Sequence, residues 1–167
     1  MKFIKSLIIG ACATVATALP SVASTYSHKD LIVLLENNGI PVTINSDRCD
    51  GSIYGSYQFV GMVRTMNLCP GHSVDDHDLS TLRHETWHAI QHCVNAARST
   101  PLNYPVSEDL DALVDNVNAI VPANVVSAIK AGYPREHWAV EFEANVAERV
   151  YTAEELAGLF VKACTSR

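Results

Sequence analysis

His84-Glu85-Thr86-Trp87-His88 carries the pattern H-E-x-x-H. On a helix, residues four apart share one face with Cβ atoms about 6 Å apart, so His84 and His88 can offer two imidazole nitrogens to one metal ion. Two histidines can grip it together. Glu85 is turned about 100° from His84 around the helix, which sets its carboxylate beside the open position of the ion rather than on it. A general base belongs there. The chemistry indicated is hydrolysis by a zinc-activated water, with Glu85 taking the proton and later returning it to the leaving group.

A catalytic zinc site usually has three protein ligands and one open position, so a third ligand is required. A third histidine six residues after the second is missing, since position 91 is Gln and position 94 is Val. His92 lies a turn beyond His88 and out of reach of such an ion, which gives it a helix-surface or capping role. The remaining source is a later carboxylate, and Glu141 and Glu143 both qualify. Phe142, Val146 and Val150 form a core stripe, beside which Glu141 and Asn145 make an i, i+4 pair. Glu141 is therefore the preferred ligand, with the Asn145 side-chain oxygen accepting the second N–H of a ligating histidine. Glu143 is the alternative, and either carboxylate could otherwise be a solvated surface group. Tyr133 and His137 stand near the third ligand as candidate donors to an oxyanion, or as a packed tyrosine and a helix-terminal histidine.

The elements that must hold these groups follow from the local sequence. Ser27 to Asp30 caps a first helix that stops at Asn37-Asn38-Gly39, and Pro41 to Ile44 suits a short strand. The segment from Ile53 to Cys69, with Gly51, Gly55 and Gly61, suits a hairpin or twisted ribbon, and its alternating last part, Gln58 to Leu68, reads as one half-buried strand whose edge can take an extended substrate. Asp75, Asp76 and Asp78 favour the start of the metal helix, predicted over 78–97. Ser107 is the expected N-cap of a helix reaching Val121, Pro122 begins a further short helix, Pro134 opens another, and Thr152-Ala153-Glu154-Glu155 boxes the last, which ends near Cys164. The fold class expected is α+β: mostly helical, with a small N-terminal β-sheet or hairpin packed on the active-site helix.

With these residues in place, the chain resembles the zincin metallopeptidases of the Glu-ligand branch, in which H-E-x-x-H is followed by E-x-x-A. The matching stretch is Glu141-Phe142-Glu143-Ala144-Asn145. In layout it is similar to the mitochondrial peptidases that help assemble ATP synthase. The shared features are Gly55-Ser56-Tyr57, a strand ending in Cys69, the motif from His84 to His88, Cys93 five residues on, and E-x-x-A. The resemblance covers Cys49 to Asn145 and departs from the family at Asn145, where Asp is frequent, in the export signal at the start of the chain, and in the long insert between His88 and Glu141. It implies a zincin-like domain that hydrolyses peptide bonds.

The first residues look like an export signal: Met1-Lys2-Phe3-Ile4-Lys5, an apolar run from Leu7 to Leu19, Pro20, and a cleavage site after Ala23. The less favoured alternative is a lipoprotein signal at Cys12. Of the 167 residues, cleavage of the first 23 leaves a single domain, 24–167, of 144 residues with 10 basic and 18 acidic side chains, a net charge near −8. Such a surface repels phosphate backbones, so nucleic acid is excluded as a partner and stable membrane insertion of the mature chain is not expected. A peptide or protein substrate is. The chain has 5 Cys, and the four left after cleavage are scattered rather than paired at zinc-site spacing, so two disulfides are expected in a secreted or periplasmic protein. Cys49 with Cys69 would close the hairpin region; Cys93 with Cys164 would tie the metal helix to the last helix. The competing functional class is a secreted zinc-containing binding or assembly protein without turnover, which would have no need of Glu85.

Overall fold

A computed structural model of the chain describes residues 26–44, 49, 54–69, 79–102 and 104–165. The export signal, Cys12 and the aspartates at 75, 76 and 78 lie outside the described residues. Helix α1 (His28–Asn37) starts as its sequence dictates, with Ser27 Oγ accepting from the Asp30 N–H and the Asp30 carboxylate accepting from the Ser27 N–H. Leu31 and Leu35, one turn apart, bury the inner face.

Strand β1 (Val42–Ile44) is followed by β2 (Gly55–Val60) and β3 (Val63–Leu68). The single strand expected from Gln58 to Leu68 is therefore a hairpin. Val60 pairs with Val63 across the two-residue loop Gly61-Met62, and Gly61 has φ of 63°, a left-handed conformation that glycine adopts at no steric cost. The hairpin suited to residues 53–69 is thus present, with its turn at Gly61 inside the stretch expected to be one strand. The sheet order is β1-β3-β2, with β1 parallel and β2 antiparallel to β3, so β2 is an edge strand.

The metal-motif helix α2 (Leu79–Arg98) is the centre of the fold: β2, α5 (Trp138–Val150) and α6 (Ala153–Cys164) all pack on it. Leu82, Trp87, Ala89 and Ile90 of α2 join Leu31, Leu35, Met66, Ala144, Leu156 and Phe160 in the main core. Both expected disulfides are present. Cys49–Cys69 spans 5.4 Å between Cα atoms, and Cys93–Cys164, at 5.2 Å, ties α2 to α6. The fold is thus α+β, mostly helical, with a small three-stranded sheet against the central helix.

Two short helices, α3 (Leu110–Ile120) and α4 (Ala123–Gly132), lie between α2 and α5. Asp109 rather than Ser107 caps α3, accepting from the Ala112 N–H at 2.9 Å. The Ser107 hydroxyl instead donates to the Asp109 carbonyl at 3.0 Å, and its N–H donates to the Glu143 carboxylate at 2.6 Å. Pro134 opens a 3-10 turn, Arg135–His137, before α5 begins. On α5 the expected stripe is displaced. Phe142 and Val146 are half-buried against a small second cluster of Leu113, Val117 and Val121, and Val150 is exposed. The more deeply buried face of α5 carries Val140, Glu141, Glu143, Ala144, Asn145 and Ala147. A helix with two carboxylates on its buried face has a use for them.

Candidate metal centre

The helical spacing of α2 brings His84 and His88 together, with their Nε2 atoms 3.1 Å apart. Packing of α5 on α2 adds Glu141, whose Oε2 lies 3.4 Å from His84 Nε2 and whose Oε1 lies 3.6 Å from His88 Nε2. One donor atom from each residue falls within 4.8 Å of the others, a group that could hold a metal ion. Among the described residues no other group of three does so.

The outward ring nitrogens decide whether this donor set fits a metal. His84 Nδ1 is 3.0 Å from Glu148 Oε2, and His88 Nδ1 is 2.7 Å from Gln91 Oε1. A carboxylate and an amide oxygen can only accept, so in each pair the ring donates from Nδ1, and a neutral ring then keeps the Nε2 lone pair for the centre. Two inward nitrogens and one carboxylate oxygen match a three-ligand site with an open position. The charges agree. Burial disfavours a charged His84, but hydrogen bonds to Glu141 and Glu148 outweigh it and hold the ring's pKa up to about 10. Burial also opposes ionisation of Glu141, and hydrogen bonds from His84 and His88 override it to hold that carboxyl down to about 2. The cluster attracts positive charge.

The second residues of these pairs differ from the sequence expectation. Asn145 does not support a histidine: its Nδ2 donates to the Glu141 carbonyl at 3.1 Å, and its Oδ1 accepts from Arg149 Nη1 at 3.0 Å. One turn along α5, the short Asn side chain folds back on its own helix. The longer Glu148, two turns from Glu141, reaches His84, and Arg149 pairs with its other carboxylate oxygen. Spacing carried this information, since i+7 shares a helix face with i and Gln91 is three residues after His88. Glu143 is neither a ligand nor a surface carboxylate but a buried one, 6% exposed. His92 stays outside the cluster and packs edge-on against Phe59, with ring centroids 4.1 Å apart, so it joins α2 to the sheet rather than capping a helix.

Glu85 is 6% exposed and shares a cavity of about 440 Å³ with His84, Glu141 and Tyr133. Burial raises its pKa, and the Tyr57 backbone N–H donates to its carboxylate. The free edge of β2 is therefore turned toward the centre at Tyr57. Gly55 makes that approach possible: a Cβ there would lie 2.5 Å from Thr81 Cγ2 and 3.1 Å from Glu85 Oε1. Tyr133, at the end of α4, has its pKa pushed up to about 12 by burial and by the carboxylates of Glu141 and Glu85. His137 lines a second cavity, of about 420 Å³, with Glu141, His88, Phe59 and Leu102. The two candidate donors thus line different cavities, which share Glu141. Comparison with protein-family models, curated protein sequences and solved structures finds no match for this chain.

Proposed function

We propose that the chain is an exported zinc-dependent metallopeptidase of the zincin type, with His84, His88 and Glu141 as zinc ligands and Glu85 as general base. The observation that carries this reading is the buried Glu85 carboxylate in one cavity with two of the three convergent donors. Bound zinc would supply Lewis acidity, lowering the pKa of a water toward about 7 and polarising the scissile carbonyl. Glu85 accepts the proton of the attacking water and passes it to the leaving amine, a role favoured by the upward shift that burial gives its pKa. The Tyr57 N–H orients that carboxylate. Tyr133, kept protonated at neutral pH, donates a hydrogen bond from its hydroxyl to the oxyanion.

An extended peptide is the substrate form best suited to the site, because the edge of β2 offers main-chain groups that bind backbone with little sequence preference. Export is supported by the two disulfides, which persist in oxidising compartments. Among the described residues no helix is long and apolar enough to cross a membrane. The test is cleavage of an unfolded protein by the zinc-loaded chain, together with its metal content. Cleavage that stops with a chelator and returns with added zinc is expected; zinc binding without cleavage would make the chain a zinc-containing binding protein instead.

A further inference from the structure

Glu143 lies off the metal cluster, yet four N–H groups converge on its carboxylate. Oε2 accepts from Trp87 Nε1 at 3.2 Å, from Gln91 Nε2 at 2.8 Å and from the Val106 N–H at 2.8 Å, while Oε1 accepts from the Ser107 N–H. Gln91, 1% exposed, also donates from Nε2 to the Val140 carbonyl at 3.1 Å. Both amide protons are therefore committed. A flipped amide would turn two N–H groups toward His88 Nδ1 and leave its oxygen facing the Val140 carbonyl and the Glu143 carboxylate, which only accept. His88 would then have to carry its proton on Nε2, where a metal must sit.

We infer that Glu143 is a positioning residue for the metal site: it locks Gln91 in the one orientation that accepts from His88 Nδ1, and so fixes the tautomer and direction of His88. The inference rests on the reading of His88 as a zinc ligand. It also gives the segment around Val106 and Ser107 a part in metal affinity, because their backbone N–H groups hold the same carboxylate that holds Gln91. His84 is supported directly by a carboxylate, His88 through an intervening amide.

Zinc affinity of the full chain, measured by competition with a chromophoric chelator, tests this with Gln91→Met, Glu143→Gln and the double variant. Each single change weakens zinc binding by about 10- to 100-fold, the usual loss when support of a ligand is removed. The double variant is no weaker than the worse single, since both act through one ring. Gln91→Met keeps the other three donors on Glu143, so it remains informative if Glu143→Gln does not fold. Wild-type affinity in either single variant, or losses that multiply in the double, overturns the inference and leaves the ligand assignment standing. A wild-type chain that binds no zinc overturns both.

Discussion

At the residue scale, the site depends on side chains that differ little in type and greatly in surroundings. Glu85, Glu141, Glu143 and Glu148 are four carboxylates on two helices, and each faces a different partner set: a backbone N–H, two imidazole Nε2 atoms, four N–H groups, and an imidazole Nδ1 with an arginine. Sequence spacing separated Glu85 from the His84/His88 pair, because a rotation of 100° follows from helix geometry alone. It also preferred Glu141. The supporting residues were only partly legible: Gln91 stands one turn from His88 on the same helix, but whether Asn145 or Glu148 reaches a histidine depends on how α5 lies along α2, which no local pattern fixes. At the same scale, Tyr133→Phe removes the proposed oxyanion donor without removing a ligand. The turnover rate should fall by about 10²- to 10³-fold with zinc content unchanged; steady-state kinetics beside elemental analysis checks both.

Elements whose ends are set by local chemistry were the legible ones. Ser27 and Thr152 each meet a carboxylate three residues on, and both capping boxes form as written. Ser107 looked equally good, but its hydroxyl donates to the Asp109 carbonyl, and Asp109 is the residue whose side chain caps α3. A hairpin suited the glycines between Ile53 and Cys69, but alternation that continues through Gly61 concealed where its turn falls. Gly55 shows its importance only once β2 lies on α2. Gly55→Ala forces a Cβ against Thr81 and Glu85, and overpacking of this kind costs about 1–3 kcal/mol. Denaturant unfolding should show that loss, and activity should fall further than the folded fraction because Glu85 is displaced. The Cys93–Cys164 bridge, 71 residues apart in sequence, holds α2 to α6. Replacing both cysteines with Ala should remove about 4 kcal/mol on the chain-entropy account, read from the same unfolding curves.

At the scale of the whole molecule, the central helix is supported on several sides: the sheet edge brings Tyr57 to Glu85, α5 brings Glu141 and Glu148, and α6 is joined through a disulfide. A site assembled from the sheet and two helices needs the folded chain, and metal bound only to the folded state stabilises it by mass action. A chelator should therefore lower the melting temperature of the zinc-loaded protein, and should leave that of Glu141→Ala nearly unchanged because that variant starts with little zinc. Calorimetry of both proteins checks this. The most direct test of the account is Glu85→Gln, which keeps the side-chain shape and removes the base. Zinc content and melting temperature should match the wild type while cleavage of an unfolded protein falls by at least about 10²- to 10⁴-fold; undiminished cleavage by a zinc-replete Glu85→Gln preparation would contradict it.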